Sequence, residues 1–435
     1  MEMKMMKLFA GAGKSTIHFP EALFPIEGFM GVHDAPAARV LVMECGEKAA
    51  LVSLELVMLP PELVDMVKCI VADHIAVKKE NIWVHTTHAI TTPHAPHAPM
   101  GMGGIALEIS EDVKKNLEAK LELYTNVVMS AVTEATKEAG ASFCPAVLGT
   151  GQAESHISIN RDMETPFGWW IGINPEGITD PTVSLLRFDD ENGKAIALVM
   201  NSGFKPCAID NSQMQENKRL VSSDVPGLAC RLIEQEMGAP CLFVMGAAGD
   251  QVPKEQALLD EVLDDGTVRT CDLGVEEGLK IVDRLGCQMA ADVLPAAKGI
   301  RCNEESPIIT LRETSVTWAG KGRIPMIPRK TVQFVPEHDV EIGGSVLVIG
   351  DIALVSLKPE VNAITAQELS SRSPYKRTLL FSMVNGGQKY MPDAASYEKI
   401  TWEAQNSMMM PGAAEHWVET VSDLLKDMKR EREAL

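Results

Sequence analysis

Apolar residues recur along this chain with two periods, alternating in short runs and stepping by three and four in longer ones. "ARVLVMECGEKAALVSLELV", residues 38 to 57, is two apolar runs around the turn "CGEK" and predicts a β-hairpin. Pro60 and Pro61 then open a helix through about Val71, since proline is tolerated in a first turn. "NIWVHTTHAI" predicts a short strand that ends near its histidines. From Ser110 the spacing of Val113, Leu117, Leu121, Tyr124, Val128, Ala131 and Ala135 predicts one long helix to about Glu138. Ser110 suits its N-cap, with Glu111 and Asp112 well placed in the first turn.

The same patterns continue. "VSLLRFDDENGKAIALVMNSGF" predicts a second hairpin, "DVPGLACRLIEQEMG" a helix stopping at Gly238, and "CLFVMG" a buried strand. A helix is expected over Glu276 to Leu294, a third hairpin at "SVLVIGDIALVSLKPE", and a last buried strand at "TLLFSMVNGG". Strands and helices are interleaved without an internal repeat or low-complexity linker. The expectation is an α/β protein of mixed β-sheets flanked by helices, one domain spanning residues 1–435. Several strands end in polar or glycine-rich loops, at His88, Asn201, Gly246, Pro359 and Asn385. Such loops on a rigid sheet are where binding and catalysis usually sit.

"GAGKST", residues 11 to 16, imitates a phosphate-binding loop but has Leu8 where the first glycine must stand. Pro20 also follows too soon for the helix that would face a phosphate. The expectation is a strand beginning near Thr16.

Composition narrows the partners. A formal charge of −20 repels nucleic acid and anionic membrane surfaces at long range, so neither is expected as a partner. No run approaches the roughly 18 apolar residues of a spanning helix. The start of the sequence lacks the apolar core of a signal peptide. Nine scattered cysteines without a CxxC suggest reduced thiols, hence a cytoplasmic protein. A small molecule is the expected partner, and the oligomeric state is left open, a homo-oligomer being the usual prior for a soluble protein.

The densest chemistry is "HTTHAITTPHAPH", residues 85 to 97, with four of the ten histidines. Histidine serves as metal ligand and general base near neutral pH. His85 lies inside the strand and reads equally as a core hydrogen-bonding residue. His94 and His97 read either as substrate-binding or as a solvated loop. Lys205, in "GFKPC", reads by itself as a solvated charge at a strand end, and Cys207, alternating to the same strand face, as a nucleophile or a small buried hydrophobe. Asp250, in "GAAGDQ", reads as a site residue or as an Asx-type turn.

Eight segments, in order, resemble the catalytic domain of neutral/alkaline ceramidases and their bacterial relatives. They are "GFMGVHDAPAARVLVME", "ENIWVHTTHAITTP", "ISINRD", "NSGFKPCAI", "LVSSDVPGLACRLIEQE", "FVMGAAGDQVP", "SLKPE" and "VNGGQKYMPDAASYE". The resemblance implies that fold, and a zinc ion held by histidines, a glutamate and a tyrosine to activate water or a serine against an amide. It implies His88, Glu360 and Tyr390 as metal ligands, and Asn160, Arg161 and Asp250 as pocket residues. Three positions depart from the pattern. The second histidine of the family's THTH block is Ile90, the remaining ligand histidine is Lys205, and the serine of the glycine–aspartate loop is Val252. The immunoglobulin-like domain that follows in ceramidases is not expected here.

A protonated lysine beside a dication is repulsive. Three outcomes follow: Lys205 loses its proton and acts as base or ligand, another histidine of the 85–97 loop replaces it, or its ammonium takes the metal's place beside Glu360. The leading functional expectation is a hydrolase of an amide, ester or lactone bond in a small soluble molecule, metal-assisted if zinc is present, and not a ceramidase. Alternatives are a metal-independent lyase or isomerase using Lys205 as acid/base, and a non-catalytic binding protein on a decayed catalytic domain.

Overall fold

The computed structural model describes residues 6–97 and 110–434. A mixed eight-stranded sheet runs in the spatial order Cys241–Met245, Ala195–Ser202, Thr182–Asp190, Cys144–Glu154, Phe9–Thr16, Ala37–Cys45, Glu47–Leu54 and Ile82–Thr86. Each edge strand pairs parallel with its neighbour, and the interior pairs are antiparallel. A second sheet of four strands, Ile309–Lys321, Pro336–Ile349, Ile352–Leu357 and Arg377–Phe381, also finishes on a parallel pair.

Period-two alternation decides how these sheets stack. Leu41, Met43, Leu51, Trp83, Val199 and Leu242 face the second sheet and pack on its Leu311, Leu347, Leu354 and Phe381. Their strand neighbours Val40, Val42, Val52 and Val84 face the other way, onto the helices Pro61–Ile75 and Glu111–Ala141. Leu198, Met200, Phe243 and Met245 do the same for the helices Asp224–Met237 and Val275–Gly299. On the far face of the second sheet, Val346, Val348, Val355 and Leu380 lie in one buried cluster with Leu369 of the helix Ala363–Arg372 and Trp417 and Val421 of the helix Ala413–Glu433. The result is a helix–sheet–sheet–helix stack, the expected α/β architecture of mixed sheets flanked by helices.

The three predicted hairpins form, the first turning at Gly46 with φ +88°. Ser110 caps its helix by accepting from Val113 N–H. One expectation fails: "GAGKST" is the end of the strand Phe9–Thr16, which stops at Thr16 instead of beginning there. Its glycines are packing devices. A Cβ on Gly13 would lie 2.2 Å from Ala135 O, and one on Gly11 2.2 Å from Ala139 O. The missing side chains let the helix Glu111–Ala141 rest on the strand backbone, a demand that outweighs glycine's poor strand propensity.

The carboxyl ends of the parallel strands point the same way chemically. His88 lies just beyond Ile82–Thr86, Lys205 beyond Ala195–Ser202, Asp250 beyond Cys241–Met245, Glu360 beyond Ile352–Leu357, and Tyr390 beyond Arg377–Phe381. In sheets of this kind ligands bind outside the carboxyl ends of strands. The two sheets are tied together there: Ser382 N–H donates to Met245 O at 2.9 Å, and Asn385 N–H to Val84 O at 2.7 Å.

Candidate functional site

Backbone pairing brings the four key side chains together. Glu360 N–H donates to Lys389 O, and Met391 N–H to Glu360 O, both at 2.8 Å, so Tyr390 is held alongside Glu360. His88 takes a left-handed conformation with φ +60°, uncommon for a residue with a side chain and a form of local strain that clusters at functional sites. Its N–H donates to Leu56 O at 3.0 Å and its Nδ1 lies 2.8 Å from Val57 O. That contact assigns the Nδ1 proton to the carbonyl and aims Nε2 at the pocket. Lys205 sits in a tight turn, Cys207 N–H reaching back to Lys205 O at 2.9 Å. The strand has ended at Ser202, so Cys207 does not share a strand face with Lys205 as the alternation predicted; the turn after Gly203 breaks the period.

Lys205 Nζ donates to Glu360 Oε2 at 2.7 Å and to Tyr390 Oη at 2.5 Å. On the carboxylate's other side, His88 Nε2 stands 3.3 Å from Glu360 Oε1. Lys205 and Glu360 are 3% and 2% exposed, and His88 is the member that reaches solvent. Burial disfavours the Lys205 ammonium, yet Glu360 and Tyr390 outweigh it and raise its pKa above the ordinary lysine value. Burial likewise works against the Glu360 carboxylate, but Lys205 and His88 hold it well below the usual range. Burial and the Glu360 charge raise Tyr390, which stays a phenol. The centre is therefore a charged ammonium–carboxylate pair with a neutral phenol.

A second buried group adjoins it. Arg161, from the strand Ser158–Thr165, donates through Nε to Glu403 Oε1 at 2.6 Å. Its guanidinium lies over the Trp402 ring at 4.8 Å and the Tyr390 ring at 5.4 Å. Trp402 also meets Tyr390 edge-on at 5.2 Å between centroids. Burial, then the charge and hydrogen bond of Glu403, raise Asp162 well above the carboxylate range, so Asp162 holds a proton while Arg161 keeps Glu403 ionised. Arg161 N–H donates to Asp250 O at 2.9 Å, and Asn160 Nδ2 to Asp250 Oδ2 at 3.0 Å. Asp250 Oδ1 accepts from Ala363 N–H at 2.9 Å, so its carboxylate ties distant loops rather than closing an Asx turn.

Burial pushes the Asp250 carboxyl up to about 6, against the hydrogen bonds from Gln251 and Ala363 that favour its ionised form. A carboxyl raised on folding contributes stability below its unfolded pKa and loses it as pH climbs through the folded value. Between pH 4 and 7 Asp250 is expected to cost the fold roughly 3 kcal/mol. Asp250→Asn should remove that slope, read from urea midpoints across this range; an unchanged slope would contradict the assignment.

Of the sequence candidates, His88, Lys205, Glu360, Tyr390, Asn160, Arg161 and Asp250 are brought into one connected network. His94 is not: it is 41% exposed and pairs with Glu27 at 3.1 Å. His97 is exposed. Cys207 is buried, which pushes its thiol up and away from a nucleophilic thiolate. His85 sits in the seam between the sheets, its Nε2 accepting from Met245 N–H at 3.1 Å, and burial lowers it to about 3. Ile90 donates its N–H to Pro206 O at 3.1 Å, while Val252 is buried in a short strand. Sequence reasoning missed Asp162, Trp402 and Glu403. The only hint was the acidic residue flanking Arg161; nothing local marks "TWEAQ" as a partner.

The expected metal set meets, but around an ammonium. Among the described residues no group of three or more His, Cys, Asp or Glu side chains is arranged to hold a metal ion. With Lys205 charged and bonded to both Glu360 and Tyr390, the donors left for a dication are a histidine nitrogen and shared oxygens. A structural zinc takes four ligands and a catalytic one three plus water. The donor set as arranged suits a monocation on a side chain, not zinc.

Solved structures share this architecture, two ceramidases among them. The neutral ceramidase from Pseudomonas aeruginosa matches with a TM-score of 0.70 at 16% identity, over 98% of this chain and 75% of that one. The chain has the neutral-ceramidase fold. A ceramidase complexed with C2 gives 0.69 at 15% identity, covering 98% and 76% of the two chains. No protein-family model and no curated protein sequence matches the chain. The likeness is thus one of fold, at a sequence identity of 15–16%. No helix among the described residues is long and apolar enough to cross a membrane.

Proposed function

We propose that this chain is a metal-independent hydrolase of an amide bond, or an ester or lactone, in a small soluble molecule. The observation that carries the reading is the position of the Lys205 ammonium between Glu360 and Tyr390, beside the half-buried His88. The likeness to ceramidase structures supports hydrolysis of an amide as the reaction class.

In this reading the neutral form of His88 reacts: its Nε2 takes a proton from water as the water oxygen attacks the carbonyl carbon, and the imidazolium so formed is the state that pairs with Glu360. Lys205 has three N–H donors, of which Glu360 and Tyr390 engage two. The third donates to the oxyanion of the tetrahedral intermediate, supplying the positive charge that a metal would otherwise bring. His88 then returns the proton to the leaving nitrogen or oxygen, the bond to carbon breaks, and the acyl part is released as a carboxylic acid that gives its remaining proton to solvent. Arg161 fixes the Tyr390 ring and so the position of the ammonium.

A lyase or isomerase in which Lys205 is the base, or forms a Schiff base, needs a neutral amine. The raised pKa of Lys205 argues against it. Screening purified protein with N-acyl amino acids, small amides, esters and lactones should find turnover that survives chelators and is lost in His88→Asn. Turnover abolished by chelation and restored by zinc would overturn the metal-independent reading; absence of any hydrolysis would overturn the hydrolase reading.

A further inference from the structure

A cleft of about 440 Å3 opens beside the segment that carries Tyr390, and three cations line it: Lys321, Arg323 and Lys389. Lys321 is 5% exposed. Its Nζ donates only to main-chain oxygens, Gln405 O at 3.0 Å and Gly322 O at 3.3 Å, and lies 5.3 Å from the centre of the Phe334 ring. Lys389 Nζ donates to Asn406 Oδ1 at 3.0 Å. Glu337 and Asp339 stand on the exposed rim, yet none of the three cations forms an ion pair with a carboxylate among the described residues. This is unusual in a chain with 60 acidic and 40 basic residues, where a counter-ion is statistically close at hand. Burying an ammonium without an anion is costly. Burial and the neighbouring Lys389 charge push Lys321 down to about 8, and the Glu337 carboxylate on the rim offsets them only in part.

Ile324, Met326, Val340 and Met408 supply apolar wall between these cations, and the volume is that of a small-ligand site. We propose that this cleft binds a small organic anion, a carboxylate on a short apolar body. Its charged end is held by Lys321 and Lys389 with Arg323 at the mouth, and its apolar body lies on the methionine and branched side chains. The cleft is separate from the Lys205 centre but shares two segments with it. Lys389 precedes Tyr390, and Gln405 and Asn406 end the helix Trp402–Asn406 that grips Arg161.

Calorimetric titration with benzoate at low ionic strength tests this. Saturable one-to-one binding is expected, weakened by salt, with benzyl alcohol not binding. Lys321→Met and the exposed Arg323→Gln should each weaken benzoate at least about tenfold, as loss of a charge-assisted hydrogen bond does. His88→Asn, in the other centre, should leave it unchanged. If Lys321→Met does not fold, Arg323→Gln alone decides. No saturable benzoate binding, equal binding of benzyl alcohol, unchanged affinity in Arg323→Gln, or loss of binding in His88→Asn would each overturn the proposal.

Discussion

Lys205→Met is expected to lower the unfolding free energy at pH 7 by about 3–5 kcal/mol and to abolish turnover. The substitution keeps the length of the side chain but leaves the Glu360 carboxylate buried without its ammonium, and a buried pair broken on one side costs that much. The pH dependence has a definite sign. Glu360 is held below its ordinary pKa, so its contribution is present above the unfolded value and is lost as pH falls through the folded one. In the variant Glu360 takes up a proton more readily, and the deficit should shrink below about pH 4. Adding Glu360→Gln should restore most of the stability while leaving the protein inactive. Urea unfolding of the four proteins in this cycle gives the coupling. Additive losses would mean that the two groups do not act as a pair.

Arg161→Met should cost a similar amount, about 3–5 kcal/mol, because Glu403 is fully buried and Arg161 is what keeps it ionised beside the protonated Asp162. Arg161→Lys should recover only part of the loss. An ammonium cannot bond a carboxylate and stack on Trp402 and Tyr390 at once, as the planar guanidinium does. The deficit should narrow in acid, where Glu403 accepts a proton. Thermal and urea denaturation at pH 5 and pH 8 check this. A deficit that widens in acid would contradict the charge assignment of the cluster.

Much of the fold was legible because burial on one face imposes a period. The three hairpins, the helix capped by Ser110 and the buried strand at "CLFVMG" all follow from alternation, turn chemistry or capping. What escaped was set by tertiary packing. "FAGAGKST" makes a poor strand by propensity and becomes one because a helix needs its bare backbone. The helix Ala413–Glu433 was not anticipated, although Trp417, Val421 and Leu425 on one face carry the signal.

The site divides in the same way. Lys205, Glu360, Tyr390 and His88 were found together through a resemblance in the order of loop segments, since they are spread from residue 88 to residue 390 and no local spacing links them. Which of three fates Lys205 meets was open in sequence, because it depends on which oxygens lie within bonding distance of the ammonium. Asp162, Trp402 and Glu403 were invisible for a similar reason: a buried carboxylate announces itself only when its arginine is seen.

Crystals soaked in zinc and measured at the zinc absorption edge put the central claim most directly at risk. No anomalous peak is expected between Lys205, Glu360 and Tyr390, with the ammonium bonded to both oxygens. A full-occupancy peak on Glu360, Tyr390 and His88, with Lys205 displaced, would contradict it.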